Sequence, residues 1–146
     1  MNLFGVLDIS GSALVAERQR AEVVASNLAN ADTTRTPEGG PYRREHVVFE
    51  ATAPFAAQLG VQMASFADLA MRGVRVQQVV EDTAQPLRRF DPSHPDADAD
   101  GYVSSPAVNP IEEMVNLMGA SRSYEINVSA IQATKNMIVS ALEIGS

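Results

Sequence analysis

The chain has 146 residues and a formal net charge of −7, which comes from 11 basic and 18 acidic side chains. A chain of this length suits one domain, and an acidic balance without a basic cluster excludes nucleic acid and anionic membrane surfaces as expected partners. The absence of cysteine excludes a disulfide framework, a thiolate zinc site and a cysteine nucleophile. Because aromatic residues make up only 5% and Trp is absent, the core is expected to be aliphatic, which suits long helices.

The amino-terminal segment, residues 1–14, lacks the pattern of a cleavable signal peptide. No Lys or Arg precedes its apolar residues, and Asp8, Ser10 and Gly11 interrupt them. No apolar run in the sequence approaches the roughly 20 residues that span a bilayer. We therefore expect a protein that is cytoplasmic or leaves the cell without a cleaved signal, and that does not insert into a membrane.

The first predicted element is an amphipathic helix over residues 8–30, about 35 Å long. Its charged residues face away from an apolar stripe. The stripe has seven-residue spacing and consists of Leu7, Leu14, Ala21 and Leu28. The helix is expected to end in a polar, turn-rich stretch over residues 30–41.

The middle of the chain predicts a small β element. Residues 46–50 and 74–82 are rich in β-branched side chains and are strand candidates. Residues 51–71 fit either a short helix or a mobile insertion. Residues 85–106 contain four Pro and an Asp-rich run, so they predict an extended, turn-rich connector.

The carboxy-terminal segment, residues 109–146, predicts a second helix of about 34 residues and about 51 Å. Asn109 can cap its first amides, Pro110 suits the first helical position, and Glu112 can reach back to the cap. Two apolar rows follow with seven-residue spacing. They are Leu117, Tyr124, Ile131 and Ile138, and then Met114, Val128 and Leu142.

The predicted fold is mainly α with a small β element, in which the long terminal helices pair as a coiled coil around a short β-rich middle region and an extended loop. The predicted division is residues 1–45, 46–108 and 109–146. A helix of about 50 Å cannot bury its stripe on two short strands. The residues alone leave open a self-contained helical hairpin and an assembly in which neighbouring subunits cover the stripe.

An acidic run resembles the start of a calcium loop. Asp96, Asp98, Asp100 and Gly101 match its first, third, fifth and sixth positions. Ala107 occupies the twelfth position, where calcium loops have a bidentate Glu. The run therefore favours a solvated turn, and a small calcium-binding module remains as an alternative function.

No constellation of catalytic residues is visible. His46 and His94 lack a second ligand at metal-binding spacing. The sequence contains neither a G-x-S-x-G elbow nor a Gly-rich loop after a strand. We therefore predict that the chain is not an enzyme and has no catalytic, cofactor-binding or metal-binding residue.

Several stretches resemble bacterial flagellar axial proteins, the subunits of the rod and hook. The amino-terminal signature comprises residues 10–14 (SGSAL) and 25–34 (ASNLANADTT). Further pieces narrow the resemblance to the flagellar basal-body rod proteins, and among them to the proximal rod. These pieces are residues 39–44, 91–103 and 112–125. The resemblance covers residues 1–50 and 72–146, and residues 51–71 match nothing in it.

The resemblance implies a structural subunit that polymerises through its terminal helices to help form the periplasm-spanning drive shaft and export channel of the proximal rod. It implies as partners copies of the same chain, neighbouring rod subunits and the flagellar type III export apparatus, and it leaves peptidoglycan open. The terminal helices would be disordered in the monomer and would pack as coiled coils in the rod. The nearest alternative is another rod or hook subunit.

Two sets of residues are expected to matter for assembly. Those in the helical assembly seam are Leu14, Leu28, Leu117, Tyr124, Val128, Ile131 and Ile138. Those in the turn and loop motif are Asn27, Asn30, Thr33, Thr34, Gly39, Gly40 and Pro41. The polar members of the second set should hold the turn through hydrogen bonds from side chains to backbone.

Overall fold

The chain has a long helix at each end and a small β region between them, as the sequence predicted. The computed structural model describes residues 3–52 and 73–144. The elements in chain order are α1 (Leu3–Ala29), β1 (Glu45–Ala51), β2 (Val74–Glu81), β3 (Leu87–Phe90), β4 (Tyr102–Ser105) and α2 (Pro110–Ile144). Apart from its first two residues, the ambiguous stretch over residues 51–71 lies outside the described residues. The three-part division of the chain stays a prediction.

Both terminal helices form, with one boundary different from the prediction. α1 begins at Leu3 rather than at residue 8, because apolar residues with helical spacing continue before Asp8 and no Pro interrupts them. α2 begins at the predicted cap, where the backbone N–H of Ile111 donates to Asn109 Oδ1 at 3.1 Å. Within the described part of the chain, no helix is long and apolar enough to cross a membrane.

The two helices run antiparallel, and theirs is the most extensive contact between elements. Asn27 near the end of α1 meets Glu113 near the start of α2. The side chains buried along this pair are small or polar, which allows a close approach of the two backbones. They are Ser10, Ala16, Val24 and Asn27 on α1, and Glu113, Ala120 and Thr134 on α2.

The α2 face that packs on α1 carries a polar row beside the apolar one. The row has seven-residue spacing and consists of Glu113, Ala120, Asn127 and Thr134. In contrast, Met114 and Leu142 of the predicted second row are exposed. Sequence reasoning favoured the larger apolar residues. The polar members of the row are tolerated because each is hydrogen bonded. Thr134 Oγ1 donates to the Ala130 carbonyl at 2.8 Å and Asn127 Nδ2 donates to the Ser123 carbonyl at 2.9 Å within α2, whereas Glu113 accepts from Asn27 on α1.

Strands β1 and β2 form an antiparallel ribbon close to the predicted bounds, with Glu45 opposite Glu81. The ribbon lies along α1. At one end of the ribbon, Asn27 of α1 donates to the Glu45 carbonyl. At the other end, the Val74 N–H donates to Ser12 Oγ of α1 at 3.0 Å. The distance from Ser12 to Asn27 along α1 and the length of β1 are both about 23 Å. The strand is therefore as long as the part of α1 between these two contacts.

The connector predicted over residues 85–106 contains a second hairpin, which corrects the expectation of a purely extended loop. β3 pairs antiparallel with β4, with Leu87 opposite Ser105 and Phe90 opposite Tyr102. The Phe90 and Tyr102 rings meet edge to face with centroids 5.3 Å apart. Strands of four residues between Pro- and Asp-rich turns give too short a pattern for period-two alternation to be recognised.

Candidate functional site

A buried polar cluster joins the end of α1, the start of β1 and the start of α2. We call it the clamp, and its members are Asn27, Tyr42, Arg44, Glu45 and Glu113. Asn27 is 1% exposed and Glu113 is 0% exposed, although both are polar. Buried polar groups are stable only when hydrogen bonded, so the bonds of the clamp determine whether these residues stabilise the fold.

The side-chain amide of Asn27 uses all four of its hydrogen-bonding positions. Nδ2 donates to the Glu45 carbonyl at 2.7 Å and to Glu113 Oε2 at 3.0 Å. Oδ1 accepts from the Glu45 N–H at 2.8 Å and from the Tyr42 hydroxyl at 3.0 Å. Two donors and two acceptors in one short side chain are what an amide supplies, and neither a carboxylate nor an aliphatic side chain of this size offers them.

The carboxylate of Glu113 is paired with a cation. Arg44 donates to Glu113 Oε1 through Nε at 3.0 Å and through Nη2 at 2.7 Å, and Asn116 donates to the same oxygen at 3.3 Å. Burial alone raises the pKa of Glu113, but the hydrogen bonds from Asn27 and Arg44 and the charge of Arg44 outweigh it. The pKa therefore lies below its ordinary value of 4.5, and the group is ionised at neutral pH.

Tyr42 is held in its neutral form. Burial raises the pKa of its hydroxyl above 10.0; a hydrogen bond with Ser26 opposes the shift, and the charges of Glu45 and Glu113 reinforce it. A neutral hydroxyl keeps its proton, so Tyr42 can donate to Asn27 Oδ1. The clamp thus consists of matched donors and acceptors around one ion pair.

The predicted turn residues do not act as one group. Asn27 lies in the clamp, whereas Asn30 Nδ2 donates back to the Ser26 carbonyl at 3.0 Å. Thr33 Oγ1 donates to Asn30 Oδ1 at 3.2 Å. Thr34 Oγ1 donates to Asp96 Oδ2 at 2.7 Å, which fastens the turn to the loop of the β3–β4 hairpin.

The glycines of the motif occupy a tight turn. Gly39 and Gly40 have φ values of 93° and 81°, in the left-handed region that favours glycine. The Thr36 N–H donates to the Gly40 carbonyl at 2.8 Å and the Gly39 N–H donates to the Thr36 carbonyl at 3.0 Å. Pro41 follows and is half-buried. The turn directs the chain back from the end of α1 to Tyr42.

The Asp-rich run is bonded to its own chain. Asp98 Oδ1 accepts from the Tyr102 N–H at 2.8 Å and the Asp100 N–H at 3.0 Å, and Asp98 Oδ2 accepts from Arg88 Nη2 at 2.8 Å. The N–H of Tyr102 is the main reason that the pKa of Asp98 is lowered from 3.8. Over residues 3–52 and 73–144, no three His, Asp or Glu side chains are grouped so that they could hold a metal ion.

The predicted seam residues lie on both helices. Tyr124 is exposed. The half-buried members are Leu14, Leu28, Leu117, Val128, Ile131 and Ile138. An open cleft of about 580 Å³ is lined by residues of both helices, among them Leu117 and Tyr124. The role of these residues in assembly stays a prediction.

The start of α2 exposes a cluster of large apolar side chains, which we call the outer patch. Its members are Ile111, Met114, Val115 and Met118, and the first and last are 72% and 64% exposed. Positions 111, 115 and 118 follow the i, i+4, i+7 spacing of one helix face. This face is opposite to that of Glu113 and Ala120, so the outer patch faces away from α1.

Sequence reasoning missed most of the clamp. Tyr42, Arg44 and Glu113 fall within stretches that carry the resemblance, but no pattern in the sequence indicates that they meet. A signal was nevertheless present. Glu113 precedes Leu117 by four residues and Ala120 by seven, so an acidic side chain falls on the apolar face of α2 and requires a partner.

Two family models match the ends of the chain. Residues 7–35 match a model described as flagella basal body rod protein, and residues 99–144 match one described as flagellar basal body rod FlgEFG protein C-terminal. The chain is also 46% identical over 150 residues to the flagellar basal-body rod protein FlgC of Bacillus subtilis, with 99% of each chain covered. The chain belongs to the FlgC family of flagellar basal-body rod proteins. The resemblance identified from the sequence is thereby confirmed.

Other FlgC proteins give the same result. The identity is 43% over 145 residues to FlgC of Escherichia coli O6:H1, with 99% of each chain covered. It is 39% over 149 residues to FlgC of Borreliella burgdorferi, with 99% of this chain and 98% of the relative covered. Membership of the FlgC family makes the chain a structural subunit of the flagellar basal body that assembles with other rod components, and not an enzyme.

The clamp joins the two segments that the family models match. Asn27 lies within residues 7–35 and Glu113 lies within residues 99–144, so their 3.0 Å hydrogen bond connects both matched segments. Arg44 belongs to neither segment and completes the connection from the residue before β1. In this member of the FlgC family, the clamp therefore fixes the relative position of the two terminal helices.

Proposed function

We propose that this rod subunit polymerises with copies of itself and with neighbouring rod subunits through its terminal helices, which form coiled-coil contacts in the wall of the proximal rod. In this position it forms part of the periplasm-spanning drive shaft and of the channel inside it. The observation that supports the proposal is the amount of apolar surface that α2 exposes along its length.

The helix pair by itself covers only one side of α2. Large apolar side chains stay exposed from its first turn to its last. They are Ile111, Met114, Val115, Met118, Tyr124, Ile126, Met137, Val139 and Leu142. Fully burying one such side chain contributes about 1.5–3 kcal/mol, so covering a few of them against a neighbour provides a substantial driving force for association. Exposed patches of this kind are typical of interaction surfaces.

The clamp gives these surfaces a defined geometry. It fixes α1 against α2 at one end of the pair, so that every subunit presents the same faces to its neighbours. A buried polar interaction of this type is best suited to specifying register, since a misaligned pair would leave Glu113 and Asn27 without partners.

The proposal includes the route to the rod. The chain is exported unfolded through the flagellar type III apparatus, and it reaches the periplasm, where peptidoglycan is a further contact to test. Two features support this route. A chain without cysteine has no disulfide to break before export, and the mostly small buried side chains of the α1–α2 pair make a thin interface that unfolds at modest cost.

A matched pair of variants tests the assembly seam. Ile131→Asp places a charge in the half-buried seam, and Gln132→Asp places the same charge at the adjacent exposed position. We expect Ile131→Asp to abolish rod assembly and motility while the protein is still exported. Gln132→Asp should remain close to wild type. Assembly is read from purified basal bodies by electron microscopy and mass spectrometry, and export from the amount of chain outside the cytoplasm.

Two outcomes would contradict the proposal. Normal motility of Ile131→Asp would show that the seam does not carry assembly. Intact basal bodies in a strain that lacks the chain would show that it is not a rod subunit there. Circular dichroism of both purified variants distinguishes a lost contact from a lost fold, because only a lost fold reduces the helical signal of Ile131→Asp below that of Gln132→Asp.

A further inference from the structure

The guanidinium of Arg44 faces two carboxylates on different elements. One edge of the group, Nε and Nη2, donates to Glu113 Oε1 of α2 at 3.0 and 2.7 Å. The remaining nitrogen, Nη1, lies 4.0 Å from Oδ2 of Asp82, which is the residue after β2. That separation is too long for a hydrogen bond, so Arg44 is bonded to Glu113 and is only close to Asp82.

The position of Asp82 beside Arg44 is fixed by the ribbon. The Asp82 N–H donates to the Arg44 carbonyl at 2.6 Å, which continues the strand pairing one step beyond Glu45 and Glu81. Asp82 Oδ1 accepts from the Ala84 N–H at 3.0 Å, which leaves Oδ2 on the side of Arg44. These bonds come from the ribbon and the residues after it, so they do not depend on α2.

The guanidinium has room to reach Asp82. A small cavity of about 10 Å³ is lined by Arg44 and Asp82, with Tyr42 and Ala107 among its other walls. A hydrogen-bonded ion pair has an N–O distance of about 2.8 Å, so Nη1 has to move by about 1.2 Å. The side chains of Arg44 and Asp82 are 29% and 34% exposed, so neither is held rigidly in a core.

The bonds of the clamp fall into two sets. Asn27 bonds both backbone groups of Glu45 and the hydroxyl of Tyr42, and this set connects α1 with the ribbon. Glu113 supplies the α2 side of the clamp through its bonds with Asn27 and Arg44. Separation of α2 therefore breaks the second set and keeps the first. Glu113 becomes hydrated in that state, whereas Arg44 stays at the ribbon and loses its carboxylate.

We propose that Arg44 exchanges Glu113 for Asp82 when the start of α2 separates from the clamp. In the closed state Arg44 holds α2. In the open state it bonds Asp82 and neutralises the end of the ribbon, where Glu45 and Glu81 lie opposite each other.

This exchange makes Arg44 a two-position switch. Leaving a partly buried charge without its partner is costly, and a second carboxylate 4.0 Å away reduces that cost. The switch therefore lowers the free energy needed to open the start of α2. It also preserves the unit formed by α1 and the ribbon while α2 is open.

The effect of Asp82→Asn in two backgrounds tests the exchange. Urea titration of the full chain at pH 7, followed by circular dichroism, measures the unfolding equilibrium constant. Asn keeps the acceptor for the Ala84 N–H and removes the charge. In the wild type Asp82 is not bonded to Arg44, so the constant should rise by less than about twofold. In Glu113→Ala, where Arg44 has turned to Asp82, it should rise about fivefold.

Two controls identify the group responsible. Glu81→Gln removes the same charge at the adjacent position and should have the same effect in both backgrounds. Adding Arg44→Gln to Glu113→Ala should abolish the additional effect of Asp82→Asn. If Glu113→Ala does not fold, Glu113→Gln provides the second background. The same order with a smaller ratio is expected there, because Gln keeps a hydrogen-bond acceptor without the charge.

Equal effects of Asp82→Asn in both backgrounds would overturn the inference. So would an additional effect that persists without Arg44 or that Glu81→Gln shares. A crystal structure of Glu113→Ala gives the direct measurement. We expect Nη1 of Arg44 at about 2.8 Å from Asp82 Oδ2, and an unchanged distance of 4.0 Å would contradict the exchange. All of these measurements use the isolated chain, so a negative result leaves the proposed polymerisation standing.

Discussion

Replacing Asn27 by Ala removes the side chain that connects three elements of the fold. The change deletes two donated and two accepted hydrogen bonds at distances of 2.7 to 3.0 Å. It leaves the backbone of Glu45, the hydroxyl of Tyr42 and one oxygen of Glu113 without their partner. Arg44 still neutralises Glu113 in the variant, so the charge itself remains paired.

The expected loss follows from the number and type of these bonds. A neutral hydrogen bond contributes about 0.5–1.5 kcal/mol net and one to a charged group about 1.5–3 kcal/mol. Three neutral bonds and one charged bond would give about 3–7.5 kcal/mol if nothing relaxed. Tyr42 and Glu45 are only half-buried and can recover part of this through water. We therefore expect Asn27→Ala to lower the free energy of unfolding by about 3 kcal/mol.

Urea titration followed by circular dichroism measures this loss, and Asn116→Ala is the matched control. Asn116 also donates to Glu113, but through a single long bond of 3.3 Å, so its removal should cost clearly less than the removal of Asn27. A double-mutant cycle with Glu113→Ala should give a clear coupling energy for Asn27. Equal losses for Asn27→Ala and Asn116→Ala would refute the view that the clamp fixes the helix pair.

Three further predictions follow from other contacts. The lowered pKa of Glu113 gives stability that is complete above about pH 4.5 and lost as the pH falls through the folded-state value, so acid should destabilise the wild type more than Glu113→Gln in urea titrations. Gly73→Ala places a Cβ 2.7 Å from Ser12 Oγ and should cost about 1–3 kcal/mol by displacing the ribbon, whereas Gly119→Ala meets nothing within 4 Å and should not destabilise. Thr34→Val removes a 2.7 Å bond to the β3–β4 loop, so hydrogen exchange should accelerate in that hairpin and not in α2.

The fold was largely predictable because its elements have clear sequence patterns. Seven-residue apolar spacing identified both helices, and the Asn109 cap fixed the start of α2. A high content of β-branched residues identified β1 and β2. The β3–β4 hairpin was missed, because its order depends on Asp98 accepting backbone N–H groups and on a ring pair across the strands, which are tertiary details that no period in the sequence encodes.

The clamp could not be predicted for a related reason. Arg44 and Glu113 are 69 positions apart, and Asn27 and Glu113 are 86 apart. The chain has 18 acidic residues, and local sequence does not indicate which basic or amide side chain would pair with a buried one. An acidic residue on the apolar face of α2 narrows the choice, and the identity of its partners needs the antiparallel alignment of the helices. The family resemblance found the right segments but not the bonds between them.

The separation between Asn27 and Glu113 also has a consequence for the time course of folding. A chain is synthesised from its amino terminus, so α1 exists long before the acid that anchors it. Until α2 has been made, the amide of Asn27 has no carboxylate to bond and the inner face of α1 has no cover. Contacts this distant in sequence form late, because the closure of a long loop must precede them. The two terminal helices of the subunit therefore cannot be fixed against each other until α2 has been synthesised.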